Sequence, residues 1–223
     1  MSDIILTVII PCYNAADYIE ECLISIASNQ HRQVEYILVD GGSNDETMSM
    51  VDRYLNCFSH TISEPDKGQS DAINKGLRLS RGNYFGWLNA DDYYSDDIIT
   101  TIVDQIKEAN GSIVAFGCRF FNEISGHSRL IHPANIEYLK VVNFWKREFT
   151  WAQPATFFPK LNGKGYVNVN YHLAMDYDLL LRVLSVREAI MIPIIVVNFR
   201  IHSEAKTNKL GYRIAEEVPV IVD

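Results

Sequence analysis

Acidic and amide side chains follow three strand-like segments of this chain, and one of these positions carries two adjacent carboxylates. Asp40 follows the second such segment, Asp66 the third, and Asn89, Asp91 and Asp92 the fourth. Adjacent carboxylates repel each other unless a cation, a helix N-terminus or solvent compensates their charge. Mg²⁺ and Mn²⁺ do this well, because they combine one or two carboxylates with phosphate oxygens. The pattern predicts an Mn²⁺ or Mg²⁺ site at Asp91, with Asp92 as a candidate ligand and ordinary helix capping as the alternative.

These polar residues depend on an alternation of short apolar strands and amphipathic helices. Strand-like runs cover residues 4–10, 34–39, 60–63 and 84–88, and helical periodicity lies between them. Such alternation predicts a mainly parallel sheet covered by helices. Ligands bind beyond the carboxyl ends of the strands in an open parallel sheet. We therefore expect the polar residues at the strand ends to converge at one edge.

The second half of the chain has a different pattern. Ser95 is expected to cap a helix over residues 96–106, and a hairpin is predicted around Ser125-Gly126-His127. A further helix is predicted over residues 176–184, followed by a pair of strands over 190–201 that bends at Pro193. The fold class is thus α/β, a single Rossmann-like domain with a mainly parallel central sheet, flanking helices and a small antiparallel addition. Residues 1–95 carry the strand–helix alternation, and residues 96–223 carry the different pattern.

Charge and cysteine content indicate which kinds of partner and which cellular compartment to expect. The formal net charge of −8 over 223 residues argues against a nucleic-acid partner, which needs an excess of Lys and Arg. The four cysteines are widely spaced, which supports neither a zinc site nor a disulfide framework. The sequence lacks a signal-peptide pattern and an apolar run of about 20 residues that spans a bilayer, so a cytoplasmic location is expected. Aromatic and cationic residues at 142–147 are a candidate for peripheral membrane contact, with ordinary packing as the alternative.

Four sequence motifs together resemble the inverting, family-two glycosyltransferases of the GT-A fold. They are Val8-Ile9-Ile10-Pro11-Cys12-Tyr13-Asn14, Val39-Asp40-Gly41-Gly42-Ser43-Asn44-Asp45, Asp66-Lys67-Gly68-Gln69-Ser70-Asp71-Ala72-Ile73-Asn74-Lys75-Gly76 and Trp87-Leu88-Asn89-Ala90-Asp91-Asp92. The resemblance runs from Leu6 to about Lys206, and it implies that residues 1–95 form the nucleotide-binding half of the domain and residues 96–223 its acceptor and catalytic half. It implies metal-dependent transfer of a sugar from a nucleotide diphosphate donor, UDP above all, to a saccharide or lipid-linked acceptor in polysaccharide or glycan biosynthesis.

The resemblance also implies roles in donor binding. The Asp40 position matches the group that binds a uridine base, which is chemically sensible because a carboxylate accepts from uracil N3–H. Pro11 and Tyr13 would frame that base. Asn89-Ala90-Asp91 stands where the family has Asp-x-Asp, whose last Asp ligates the metal, and Asn89 can still hydrogen-bond the ribose. Asp66 and Asp71 lie in a matching segment and are candidates on the nucleotide side, with a helix-terminal position as the alternative for Asp71.

Four further site residues come from the same resemblance. Met175-Asp176-Tyr177-Asp178 matches the family's Glu-Asp motif and places Asp176 as the general base, with Asp178 as the alternative. An inverting transfer is a single displacement, so one carboxylate must take the acceptor proton. The segment Phe199-Arg200-Ile201-His202 matches the place where a His approaches the metal, so His202 is the second predicted ligand. Gln153 is a candidate contact to the donor sugar or the acceptor. Lys206 is a candidate contact to the diphosphate.

Two other readings of the sequence remain open. A sugar-phosphate nucleotidyltransferase would use a related sheet but begins with a glycine-rich, basic loop that Pro11-Cys12-Tyr13-Asn14 does not match. A non-catalytic nucleotide-binding scaffold is suggested only by Asn89. Dinucleotide oxidoreductases and P-loop NTPases are disfavoured because their glycine-rich motifs are missing.

Overall fold

The computed structural model describes residues 3–161, 166–205 and 214–222, and these build a nine-stranded sheet with helices on both faces. The strands are β1 Leu6–Cys12, β2 Val34–Asp40, β3 His60–Ser63, β4 Tyr84–Trp87, β5 Tyr93–Tyr94, β6 Ile113–Phe121, β7 Ser128–Ile131, β8 Thr156–Pro159 and β9 Ala189–Arg200. The α-helices are α1 Ile19–Ser28, α2 Thr47–Val51, α3 Gln69–Leu79, α4 Ile99–Glu108, α5 Tyr138–Val142, α6 Met175–Leu184 and α7 Ile214–Val222. Short 3₁₀ helices cover Asp52–Cys57, Phe144–Lys146 and Gln153–Ala155.

The first four strands form the parallel part of the sheet. β1 pairs in parallel with β2 and β4, and β2 pairs in parallel with β3. Both β1 and β2 are buried along their whole length, as expected for strands covered by helices on two faces. Their register places Cys12 opposite Asp40, so the loops after both strands emerge at the same edge.

The second half extends this sheet with mixed pairing. The order is β3-β2-β1-β4-β8-β6-β9-β5, with β7 paired to β6. β8 is antiparallel to both β4 and β6, and the predicted hairpin is formed by β6 and β7. The predicted α/β class, a largely parallel sheet with an antiparallel addition, is confirmed.

The predicted pair of strands over residues 190–201 is wrong. A single strand, β9, runs through Pro193 and pairs in parallel with β6. The bend is taken up by an irregular register on either side of Gly117, where an added Cβ would lie 2.7 Å from Ile195 Cδ1. Gly117 thus allows β9 to pass closely and to carry its end to the edge where β4 ends.

The predicted helix cap at Ser95 is also wrong. Helix α4 begins at Ile99, and Asn29 Oδ1 accepts hydrogen bonds from the backbone N–H groups of Ile98 and Ile99 at 2.9 and 3.0 Å. Ser95 instead donates its backbone N–H to Val196 O at 2.9 Å. A residue beyond the end of α1 therefore caps α4, and this contact fixes the two helices together.

Close packing of α3 on β1 positions the N-terminus of α3 at the same sheet edge. A Cβ at Gly76 would lie 2.8 Å from Ile9 Cγ2, so only glycine permits this approach. Among the described helices, none has the length and apolar character needed to span a membrane.

Candidate functional site

A cavity of ≈ 920 Å³ opens at the carboxyl ends of the parallel strands and is lined by both halves of the chain. Its lining includes Pro11, Tyr13, Tyr18, Asp66, Gln69, Asn89, Asp91, Arg147, Trp151, Gln153, His172, Asp176 and His202. Eight of the predicted site residues, including both predicted metal ligands, therefore line this cavity: Pro11, Tyr13, Asp66, Asn89, Asp91, Gln153, Asp176 and His202. The predicted convergence of strand ends matches this arrangement.

Asp91 and His202, the two predicted metal ligands, lie in direct contact. Asp91 follows β4 and His202 follows β9, and Asp91 Oδ2 lies 2.9 Å from His202 Nε2. Their side chains are 29% and 11% exposed, so the carboxylate is the more accessible of the two. The ring of Tyr18 packs against the imidazole with ring centroids 4.2 Å apart. This packing fixes the orientation of His202 toward the carboxylate.

Arg200 is a buried side chain that holds the Asp91–His202 pair in place. Its side chain is 3% exposed, its Nε donates to the Asp91 backbone carbonyl at 3.1 Å, and its guanidinium forms ion pairs with Glu21 and Glu123. The guanidinium also lies over the Tyr18 ring, 5.4 Å from its centroid. Arg200 therefore anchors the loop that carries Asp91 and is already engaged by protein groups.

Asp92 lies beneath the cavity and does not line it. Its side chain is buried, and its carboxylate accepts from the backbone N–H of Arg200 at 3.0 Å and from Asn89 Nδ2 at 3.2 Å. Burial, followed by the nearby charge of Asp91, raises the pKa of the Asp92 carboxyl. These contacts give Asp92 a role in joining the loop after β4 to β9, and its candidacy as a metal ligand has no support from its position.

Asn89 is oriented by two neighbours. Its Oδ1 accepts from Gln69 Nε2 at 2.7 Å, and its Nδ2 donates to Asp92. Gln153, a predicted candidate from the second half, donates from Nε2 to the Trp87 carbonyl at 3.1 Å. Both amides line the cavity from opposite halves of the chain.

The Asp40 carboxylate is fully buried under the loop that follows β2. It accepts from the backbone N–H groups of Gly42 and Ser43, from Ser43 Oγ at 2.5 Å and from Ser63 Oγ at 2.6 Å. Asp40 has no exposed surface and does not line the cavity. Its position therefore does not fit the direct contact with a base that the sequence predicts, since its acceptor sites already hold the loop closed.

The Asp66 carboxylate occupies the space beside Gly41 that a side chain at position 41 would fill. A Cβ at Gly41 would lie 2.7 Å from Asp66 Oδ2, so the glycine makes room for this carboxylate. Asp66 lines the cavity and accepts from the Gly68 backbone N–H at 2.7 Å. Asp71 instead accepts from the Lys67 backbone N–H at 3.2 Å in the first turn of α3, outside the cavity lining.

The two candidate bases, Asp176 and Asp178, point in different directions from α6. Asp176 lines the cavity, and its Oδ1 accepts from the Tyr177 backbone N–H at 2.8 Å. Asp178 is buried outside the cavity lining, where its Oδ2 lies 2.8 Å from Arg182 Nη2 and accepts from Arg182 Nε at 2.9 Å. The geometry favours Asp176 as the carboxylate that reaches a substrate.

The sequence matches a protein-family model over residues 7–169, nearly three quarters of the chain, and the family is glycosyl transferase family 2. The chain belongs to this family.

Relatives and solved structures agree with this membership. An uncharacterised glycosyltransferase of Rickettsia conorii is 27% identical over 219 residues, which cover 93% of this chain and 36% of that protein. Glycosyltransferase GlyA of Streptococcus pneumoniae is 31% identical over 124 residues, 54% of this chain and 18% of that protein. The chain thus spans about a third of the first of these relatives, and less of the second.

The fold is similar to that of S. aureus TarS, whose residues 1-349 have been solved in complex with UDP-GlcNAc. The TM-score is 0.74 at 16% sequence identity, over 98% of this chain and 66% of that chain. At this level of identity the likeness establishes the GT-A fold of this family-2 chain.

The donor set of the Asp91–His202 pair fits a divalent metal. A carboxylate and an imidazole suit Mn²⁺, and Mg²⁺ or Mn²⁺ sites usually take their remaining ligands from substrate phosphates and water. Across residues 3–161, 166–205 and 214–222, no group of three or more His, Cys, Asp or Glu side chains is arranged to hold a metal. The pair therefore fits a metal that a diphosphate helps to hold.

Three residues that support the site were not predicted from the sequence. Tyr18, Gln69 and Arg200 act on Asp91, His202 or Asn89 through ring contacts and hydrogen bonds across long sequence separations. Gln69 and Arg200 lie inside segments that resemble the family and were detectable in principle, whereas nothing in the sequence singles out Tyr18. Lys206, the predicted diphosphate contact, lies outside the described residues.

Proposed function

We propose that this family-2 domain is a metal-dependent, inverting glycosyltransferase that transfers a sugar from a UDP-sugar to an acceptor hydroxyl. The observation that carries the proposal is the placement of the Asp91–His202 pair and of Asp176 around one cavity. The Asp91–His202 pair suits the binding of a metal and a diphosphate, and Asp176 suits the role of general base. Together they match the two requirements of a single-displacement sugar transfer.

The nucleotide would bind on the side of the cavity formed by the first half of the chain. Asp66 is the carboxylate that we assign to uracil N3–H, since it is cavity-facing and lies over Gly41. Pro11 and the exposed Tyr13 flank the same region and would frame the base, while Asn89 would contact the ribose. Asp40 would act indirectly by holding the loop on which Gly41 lies.

Asp91 and His202 would hold the metal ion against the donor diphosphate. When bound, such an ion neutralises charge on the diphosphate leaving group. Arg200 and Tyr18 would maintain the geometry of both ligands through the contacts described above. The resemblance of the fold to TarS, which has been solved with UDP and with UDP-GlcNAc, supports a uridine donor.

Asp176 would accept the proton of the acceptor hydroxyl as its oxygen attacks the anomeric carbon. One bond forms to the acceptor oxygen while the bond to the diphosphate oxygen breaks, so the configuration inverts and no covalent enzyme intermediate is needed. A positioned general base contributes about 10²- to 10⁴-fold in rate. Asp176 lies in the first turn of α6 and faces the cavity.

The acceptor side of the cavity is rich in aromatic side chains. Phe120, Phe144, Phe149, Trp151 and Phe199 line it. Such a wall suits an acceptor with apolar surface, as a saccharide ring or a lipid-linked saccharide has. We propose an acceptor of this kind, in the assembly of a polysaccharide or another glycan.

Calorimetric titration with UDP, UDP-GlcNAc and UTP, each with and without Mn²⁺, tests the proposal. We expect binding of both diphosphates that is strengthened by Mn²⁺, together with slow Mn²⁺-dependent hydrolysis of UDP-GlcNAc. A preference for the triphosphate would instead indicate a nucleotidyltransferase. Binding without metal dependence and without hydrolysis would indicate a scaffold.

A further inference from the structure

The last described helix, α7, supplies a carboxylate to the segment that precedes α6. Glu217 Oε1 accepts from the backbone N–H of His172 at 2.9 Å, and its Oε2 accepts from those of Leu173 and Ala174 at 2.9 and 2.8 Å. Three consecutive backbone donors, more than 40 residues away in sequence, thus converge on one side chain. This is a dedicated tether between α7 and the start of α6.

The tether is a charge-assisted contact. Burial acts to raise the pKa of the Glu217 carboxyl, but the hydrogen bonds from Ala174, His172 and Leu173 outweigh it and lower that pKa. Because the folded-state value is depressed, the stabilisation is present above the ordinary glutamate pKa and is lost only as pH falls through the lowered value. Glu217 therefore remains ionised and engaged across the neutral range.

The tethered segment is also a wall of the cavity. Residues 172–177 line it without interruption, and Asp176 is only two residues beyond Ala174. Val218, the neighbour of Glu217 on α7, is 5% exposed and lines the same cavity. Any shift of α7 thus moves the segment that carries Asp176 together with part of the acceptor wall.

We propose that Glu217 is a positioning residue that fixes Asp176 and the adjoining wall at the distance from the donor that transfer requires. The inference rests on the proposed function, because it assigns the general base to Asp176. Glu217 would act through the backbone of residues 172–174 and would not touch the donor, which binds on the opposite side of the cavity. Its loss should therefore lower turnover and leave donor binding unchanged.

The test compares Glu217→Gln with Glu216→Gln, which removes the same charge from an exposed neighbour on α7. The glutamine keeps the size of the side chain, but its NH₂ group faces backbone donors and cannot accept from them. Hydrogen–deuterium exchange is measured first, on the free protein. We expect faster exchange at residues 172–177 in Glu217→Gln alone, with no change around Asp40.

Turnover is then measured as UDP-GlcNAc hydrolysis at saturating donor, beside UDP affinity by calorimetry. We expect kcat to fall by roughly 10- to 100-fold in Glu217→Gln, since a misplacement of about 1 Å costs up to 100-fold, and UDP affinity to stay unchanged. Exchange and kcat equal to those of Glu216→Gln would overturn the proposal, and so would a parallel loss of UDP affinity. If the wild-type protein binds no UDP-sugar, the proposed function fails, while the exchange result still decides whether the tether exists.

Discussion

Asp91 Oδ2 and His202 Nε2 lie 2.9 Å apart, although 111 residues of sequence separate the two side chains. The contact joins the end of β4 in the parallel half to the end of β9 in the mixed half. Arg200 strengthens the junction by donating its backbone N–H to Asp92 and its Nε–H to the Asp91 carbonyl. The proposed metal site is thus a consequence of how β9 is placed beside β5 and β6.

Replacing Asp91 with Ala should abolish the Mn²⁺ dependence of UDP binding. The variant loses the carboxylate that links the ion to the protein, and His202 alone provides a single ligand. Calorimetry with UDP, in the presence and in the absence of Mn²⁺, measures the effect. Undiminished Mn²⁺ dependence would mean that Asp91 is not a ligand.

The matched control for this variant is Asp96→Ala. Asp96 is an exposed carboxylate in the same acidic stretch, and it does not line the cavity. Its removal changes the net charge equally but should leave Mn²⁺-dependent binding intact. The comparison separates a specific metal contact from a general electrostatic effect.

A second prediction concerns recognition of the base by Asp66. Asp66→Ala should weaken the binding of uridine, UMP and UDP by a similar factor. We expect a loss of roughly tenfold to a hundredfold in affinity, which corresponds to one hydrogen bond to a charged group. Because cytosine has no N3–H, the preference for UDP over CDP should fall with it. Competition binding against a fluorescent nucleotide measures both quantities.

Asp71→Ala is the control for the Asp66 variant, since Asp71 belongs to the same segment but lies outside the cavity lining. It should preserve the preference for UDP over CDP. A loss in Asp66→Ala that is confined to the diphosphate, with uridine binding unchanged, would show that Asp66 acts on the phosphates.

The third prediction assigns Asp40 to stability. In Asp40→Asn the amide NH₂ would face hydroxyl and backbone donors that now share a carboxylate, so buried donors lose their acceptor. The free energy of unfolding should fall by about 1–3 kcal/mol. Urea denaturation measures it, and exposed Asp52→Asn should change it by less than about 0.5 kcal/mol. Stability equal to that of Asp52→Asn would contradict this role.

Much of the site could be predicted because it lies at strand ends that are recognisable from local apolar runs. Asp66, Asn89 and Asp91 follow β3 and β4, and parallel strands necessarily bring their carboxyl ends to one edge. The position of His202 came from a motif and agrees with the structure in its contact with Asp91. Local pattern and motif were sufficient for these residues.

The remaining contacts depend on tertiary placement, which local pattern does not encode. Asn29 caps α4 from 69 residues away, and Glu217 tethers a segment 43 to 45 residues before it. Whether a carboxylate at a strand end, such as Asp40, faces the cavity or the loop beneath it depends on which donors surround it. One of these donors is the hydroxyl of Ser63, which lies on the neighbouring strand β3.

The last prediction separates binding from chemistry at the start of α6. Asp176→Asn should leave UDP affinity nearly unchanged, because we propose that the donor binds on the opposite side of the cavity. Turnover should fall by about 10²- to 10⁴-fold, since the amide keeps the shape of the carboxylate but cannot accept the proton. Single-turnover hydrolysis of UDP-GlcNAc at saturating donor, with water as the acceptor, measures this loss.

Asp178→Asn provides the control, because Asp178 carries the same charge on the same helix but pairs with Arg182 outside the cavity lining. This variant weakens a buried ion pair, so its main effect should be a fall in the free energy of unfolding by about 1–3 kcal/mol, the cost of leaving a buried polar group without its partner, with turnover largely kept. If Asp178→Asn is inactive while Asp176→Asn retains wild-type turnover, the general base is Asp178. In that case α6 must rotate on donor binding to bring the second carboxylate to the acceptor.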